Sequence, residues 1–168
     1  MASAPTYESI AYQSLVGTAA SITFSSIAAS WTDLRVVLTA TTTVAGQSTT
    51  INLNGDTATN YSYRYMRGNG TTATSLSSQG AGPVNIQGSA NTSTTIPTLY
   101  SIDIFQYANT GMNKTFLYTT SEDQNGSGSV TNSVGLWRST AAITSIVLTS
   151  SGLFAIGTTA ELIGVKSA

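Results

Sequence analysis

The sequence predicts an all-β fold, an antiparallel β-sandwich of jelly-roll type, formed by a single domain of residues 1–168. Three observations lead to this prediction. Apolar residues recur at every second position, the apolar runs are rich in Thr, Val, Ile and Tyr, and Gly, Asn and Asp separate the runs. No segment carries the apolar stripe that a helix would need.

Segment 33–40 shows the alternation most clearly. One face carries Leu34, Val36, Leu38 and Ala40, and the other carries Arg35, Val37 and Thr39. A strand with this pattern buries one face and exposes the other. The same reasoning predicts strands over 22–27, 49–54, 60–67, 98–107, 114–120, 129–137, 142–149 and 154–165.

Turn signals separate these segments, among them Asn54-Gly55-Asp56, Gly68-Asn69-Gly70 and Asn125-Gly126. Residues 68–97 are rich in Gly, Ser, Thr and Asn. We expect long loops there around one edge strand, anchored by Leu76, Val84 and Ile86.

The composition excludes several classes of function. The chain has no His and no Cys, so it lacks the usual proton shuttle, soft nucleophile and thiol metal ligand. Six basic and seven acidic residues give a net charge of −1, which disfavours nucleic acid and anionic membranes as partners. We see no signal peptide and no apolar membrane segment, and therefore expect a protein made as a soluble cytoplasmic product.

No residue is assigned a catalytic, cofactor-binding or metal-binding role. Glu122 and Asp123 are adjacent and are expected in a solvated turn rather than in a catalytic carboxylate pair. Asn52, Asn54 and Asp56 place oxygen atoms at alternate positions, as calcium ligands do, but a single carboxylate is too few, and we interpret the segment as a hairpin turn.

Two further pairs of residues are expected to have a structural role rather than a role in chemistry or ligand binding. Asp103 lies in an apolar strand, where Arg35 is a possible ion-pair partner unless both side chains face solvent. Trp31 and Trp137 are expected to pack at corners of the core rather than to stack on a ligand.

Two regions are candidates for an interface. Tyr61, Tyr63 and Tyr65 alternate along one strand that ends at Arg67, which is typical either of a contact surface or of a packed sandwich face. Residues 1–15 are a possible N-terminal arm, in which Tyr7 and Tyr12 could dock on a neighbour. We expect deletion of residues 1–12 to leave the domain folded but to weaken assembly.

The order of these segments resembles a group of tailed-bacteriophage virion proteins of the cyanophage type. The resemblance covers about residues 7–166 and lies in segments 21–27, 31–38, 51–56, 60–63, 67–70, 135–146 and 162–166. It is a pattern of strands and turns, and it carries no catalytic residue.

The resemblance implies a capsid decoration or cement protein. Such a protein would bind the assembled major capsid protein on the outer surface of the virion, as a homotrimer and without a cofactor, after synthesis in the host cytoplasm. The alternative is the head of a phage fibre that binds a host glycan or protein, and a glycoside-active enzyme is a distant third.

Overall fold

A computed structural model describes residues 6–86 and 92–166, and these residues form twelve β-strands. The strands are β1 (Tyr7–Ser14), β2 (Ala19–Phe24), β3 (Asp33–Ala40), β4 (Thr49–Leu53), β5 (Tyr61–Gly68), β6 (Ala73–Ala81), β7 (Val84–Asn85), β8 (Thr98–Ile104), β9 (Lys114–Asp123), β10 (Gly128–Trp137), β11 (Ile146–Phe154) and β12 (Thr159–Val165). The predicted all-β class is confirmed.

The strands form two antiparallel sheets. The large sheet has eight strands in the order β1-β12-β3-β8-β9-β10-β5-β6, and the small sheet has four in the order β2-β11-β4-β7. The predicted sandwich is confirmed, whereas the jelly-roll topology stays a prediction. Within the described ranges, no helix is long and apolar enough to cross a membrane.

The alternation in the sequence sets which face of each strand is buried. In β3, Leu34, Val36, Leu38 and Ala40 are completely buried, and the residues between them are half-buried. The small sheet contributes Ile22, Phe24, Ile51, Leu53, Ile146 and Leu148 to the same core. The core therefore lies between the inner faces of the two sheets.

The small sheet covers only part of the large one. Along the inner face of β5, Tyr61 is buried, whereas Tyr63 and Tyr65 are half-buried. On the neighbouring edge strand β6, Leu76 is 43% exposed. The inner face of the large sheet is consequently open toward β6.

Trp31 packs against the core at the end of the sandwich opposite β6, in agreement with the corner position expected for it. A Cβ atom at Gly164 would lie 2.2 Å from the Trp31 ring, so only glycine lets the indole approach strand β12 this closely. The Lys166 ammonium lies 5.0 Å from the centre of the same ring. This distance is within the range of a cation–π contact.

Residues 7–14, assigned in the sequence to a possible N-terminal arm, form the edge strand β1. They pair antiparallel with β12 from Tyr7 to Ser14, with a bulge between Ser9 and Ala11. Ile10 and Ala11 pack against the core, and the other side chains of the strand are mostly exposed. Residues 1–5 of the predicted arm lie outside the described residues.

The expectation that Glu122 lies in a solvated turn is wrong. Glu122 and Asp123 are the last two residues of β9 and point to opposite faces. Glu122 is only 6% exposed, and its carboxylate accepts hydrogen bonds from the hydroxyls of Thr98 and Ser129. Hydroxyls from the two neighbouring strands compensate the carboxylate for its lost hydration.

Candidate functional site

The outer face of the large sheet is the broadest exposed surface that the strands build. Its two central rows follow from the strand register. The first row runs across Ser9, Ile163, Arg35, Asp103, Leu117, Val134, Arg64 and Ser77, and the second across Tyr12, Glu161, Val37, Ser101, Thr119, Asn132, Met66 and Ser75. Aliphatic, hydroxyl, amide and charged side chains are thus mixed over the width of the sheet.

Several apolar side chains on this face are exposed. Met66 is 68% exposed, Val130 51%, Leu117 48% and Leu99 47%. They lie on four strands, β5, β10, β9 and β8, that are adjacent in the sheet. In the register, Ser121 lies between Leu99 and Val130, and Asn132 lies between Met66 and Thr119. The exposed apolar side chains are therefore spread over these strands among polar ones, a mixture that is also found in protein interfaces.

The charges in the two central rows cancel. The two rows contain Arg35, Arg64, Asp103 and Glu161, two of each sign. Arg35 binds Asp103 through two hydrogen bonds of 2.6 and 3.1 Å, and this bond and the charge of Asp103 raise the pKa of the guanidinium. Arg35 and Asp103 form the predicted ion pair, and both side chains also lie partly exposed on the outer face, so the two interpretations of these residues hold together.

A groove of about 580 Å³ lies on this face over strands β9, β10, β5 and β6. Leu117, Val134 and Met66 supply its apolar lining, and Asn132 and Arg64 supply amide and cationic groups. Within the described residues, Arg64 forms no ion pair. The groove can thus accept an aliphatic side chain and a carboxylate from one partner.

The structure does not bring the six candidate interface residues together. Tyr7 and Tyr12 lie on the outer face of β1 and are 57% and 61% exposed. Tyr7 covers Arg35, with the guanidinium 6.0 Å from the ring centre. The tyrosine stripe of β5 lies near the opposite end of the sheet and on the inner face, so the two groups cannot contact one flat partner.

The stripe itself divides into a core residue and a half-exposed pair. Tyr61 is buried, and its hydroxyl accepts a 3.0 Å hydrogen bond from the Leu53 amide and donates a 3.1 Å bond to the Asp56 carbonyl. Burial raises the pKa of Tyr61 to about 12. Tyr63 and Tyr65 are stacked with ring centres 6.4 Å apart, on the same side of β5 as Arg67.

The oxygen-rich segment before Tyr61 is not the expected hairpin turn, because β4 and β5 lie in different sheets. Its side chains instead hold the turn after β4 in place. The Asn54 side chain accepts hydrogen bonds from the amides of Thr144 and Ser145. Asp56 accepts a 2.7 Å bond from the indole N–H of buried Trp137, and this bond is the main reason that the pKa of its carboxyl is lowered. In the part of the chain that the structure describes, no group of three or more acidic side chains could hold a metal ion.

The groove was not predicted from the sequence. Arg64 and Met66 alternate with the tyrosines along β5 and therefore lie on the opposite side of that strand. A local sign of the groove was Leu117, an apolar residue at an outward-facing position of β9. Its proximity to Met66 depends on β9, β10 and β5 being neighbours in the sheet. That order is not contained in any local pattern.

Comparisons with known protein families, with curated proteins and with solved structures find no match to this chain.

Proposed function

We propose that the chain is a non-enzymatic structural protein of a phage virion that decorates and stabilises the capsid. In this role the outer face of the large sheet binds the assembled lattice of the major capsid protein. The observation that carries the proposal is the composition of this face, which is broad, partly apolar and balanced in charge along its two central rows. Capsid location and phage origin rest on the resemblance of the strand and turn pattern.

The dimensions of the face suit such a contact. Eight strands spaced about 4.8 Å apart make a face roughly 34 Å wide, and strands of eight residues rise about 26 Å. The product is roughly 900 Å², close to the 800 Å² or so that each partner contributes to a standard protein interface. One face of one chain is thus large enough for specific binding.

The chemistry of the face also suits an assembled partner. Apolar side chains such as Met66 and Leu117 supply the buried centre of an interface, and the surrounding Ser, Thr and Asn side chains supply a hydrated rim. A protein that binds only the assembled lattice stabilises it by mass action. A homotrimer, the expected oligomer, would strengthen this effect through multivalency.

The proposed role requires no chemical reaction by the chain. It contains no His and no Cys, and the buried carboxylate of Glu122 is occupied by two hydroxyls. The proposed partner is the major capsid protein, with neither nucleic acid nor a membrane involved.

One observation favours the fibre-head alternative. Tyr63 and Tyr65 form a parallel pair of half-buried rings on the open inner face, on the side that bears Arg67. Aromatic rings next to a cation are enriched at binding hot spots. A protein with this function would contact its receptor through the inner face of β5.

The test is the heat stability of particles that lack this protein. We expect such particles to release their genome at a lower temperature, and added pure protein to restore them. The variant Leu117→Asp places an unpaired carboxylate at the centre of the outer face and should fail to restore them. The matched control is Val16→Asp at a 93% exposed position of the β1–β2 turn, which should restore them fully.

Two results would contradict the proposal. One is full restoration by Leu117→Asp, with circular dichroism showing that the variant is folded. The other is depleted particles of normal heat stability that no longer attach to cells, which would support the fibre-head function.

A further inference from the structure

Each sheet has two edge strands, and three of these four edges are protected against pairing with a strand of another chain. The large sheet ends in β1 and β6, and the small sheet ends in β2 and β7. Unpaired N–H and C=O groups at a sheet edge can add a strand from another chain, and folded proteins usually protect them with bulges, charges or covering groups.

The protection differs from edge to edge. Strand β1 has a bulge between Ser9 and Ala11 and carries Glu8. On strand β2, the Gln13 side chain covers the carbonyl of Thr23 and donates a 2.6 Å hydrogen bond to it. Strand β7 has only two residues.

Among the residues that the structure describes, nothing gives strand β6 any of these protections over most of its length. It has nine residues, Ala73–Ala81, and contains no charged residue and no proline. In the described part of the chain, its hydrogen bonds are all to β5. An irregularity lies only at its C-terminal end, between the pairs Tyr61–Ala81 and Ser62–Gln79, so residues 73–79 form a regular open edge.

The sequence of this regular edge is nearly the same in both directions. An antiparallel pair of identical strands around a two-fold axis at Leu76 would set Leu76 against its own copy. It would also set Ser75 against Ser77 and Thr74 against Ser78. Leucine pairs, hydroxyl pairs and the absence of facing charges are favourable combinations for residues opposite each other in a sheet.

We propose that β6 is a self-association edge that pairs antiparallel with β6 of a second copy of this chain, with the two-fold axis at Leu76. The contact joins two eight-stranded sheets and covers Leu76, which is 43% exposed in the single chain. The two copies of Tyr65, the neighbour of Leu76 in β5, lie on either side of this contact.

The proposal does not depend on the function proposed above. A two-fold contact is different from the three-fold contact of the expected homotrimer. If both contacts form and the two-fold axes cross the three-fold axis at right angles, the particle contains six chains, and if only the β6 contact forms, it contains two. In either case the number of chains is even.

The first test measures the mass of the pure protein by light scattering over a series of concentrations. We expect an even number of chains for the wild type. Leu76→Lys, which places two ammonium groups against each other, should halve this number. The matched control Leu99→Lys replaces a similarly exposed leucine on β8 and should leave the number unchanged. A wild type of one or three chains, or a mass unchanged by Leu76→Lys, would overturn the proposal.

The second test uses the absence of cysteine from the chain. Residues directly opposite in an antiparallel pair have Cα atoms about 4.5–5.5 Å apart, which fits a disulfide. Oxidised Leu76→Cys should therefore form a disulfide-linked dimer nearly completely, whereas Leu99→Cys should not. Equal cross-linking of the two variants, or none for Leu76→Cys, would overturn the proposal.

Discussion

The ring of Phe116 on β9 occupies the space that a side chain at Gly135 on β10 would need. The two residues are paired in the register, and a Cβ atom at Gly135 would lie 2.2 Å from the Phe116 ring. The phenyl ring therefore lies over the backbone of β10, inside the core. The absence of a side chain at one position determines the packing of the aromatic residue beside it.

This contact predicts that Gly135→Ala is strongly destabilising. The added methyl group forces the buried Phe116 ring out of its position, and such overpacking costs about 1–3 kcal/mol or more. Denaturant unfolding measures the loss, with Gly17→Ala as the control, since nothing lies within 4 Å of a Cβ at Gly17. Equal stability of the two variants would show that Phe116 can repack freely.

Because of Asp56, the free energy of unfolding of the domain should decrease at acidic pH. Hydrogen bonds from Trp137 and Asn60 hold the pKa of its carboxyl below the ordinary value of 3.8. A lowered folded-state pKa contributes stability above the unfolded pKa, and this contribution disappears as the pH falls through the folded value.

We therefore expect Asp56→Ala to cost about 1–3 kcal/mol at neutral pH, because it leaves the buried Trp137 N–H without an acceptor. The difference between wild type and variant should shrink in acid, below a pH of about 4. Unfolding at a series of pH values measures it, with Glu8→Ala at an exposed position of β1 as the control. A difference that does not change with pH would contradict the pKa argument.

Tyr61 should make the domain sensitive to alkali. Burial raises the pKa of its hydroxyl from 10.0 to about 12 in the folded chain. A raised pKa contributes stability that is complete below the unfolded value and is lost as the pH rises through the folded value, so the loss falls between about 10 and 12.

The variant Tyr61→Phe should cost about 1–3 kcal/mol near neutral pH, because the buried Leu53 amide loses its acceptor. Above a pH of about 10, the variant should lose less stability than the wild type does. Tyr12→Phe, at an exposed position, serves as the control. The same alkaline sensitivity in wild type and Tyr61→Phe would show that another group is responsible.

Deletion of residues 1–12 should leave a folded domain of lower stability. The deletion removes most of β1, and β12 then becomes the edge of the large sheet. The loss is limited because only a few side chains of β1, such as Ile10 and Ala11, pack on the core. Circular dichroism and thermal melting measure it, and an unfolded product would show that β1 is indispensable to the core.

The alternation of residues in β3 predicted correctly which of its side chains are buried. The same rule placed Tyr61, Tyr63, Tyr65 and Arg67 on one face of β5. It could not show that the small sheet covers Tyr61 but leaves Tyr65 half-exposed. The reason is that local alternation contains no information on how many strands the opposing sheet has.

The sequence by itself determined the all-β class, the core face of most strands and the position of most turns, because period-two patterning and Asn-Gly turns are local properties. Only the tertiary structure decided which strands are neighbours. That order placed Arg35 against Asp103, buried Glu122 between Thr98 and Ser129, and brought Met66 and Leu117 into one groove. Glu122 and Ser129 are only seven positions apart, but the other contacts join residues far apart in the chain, and their positions depend on the packing of the whole domain.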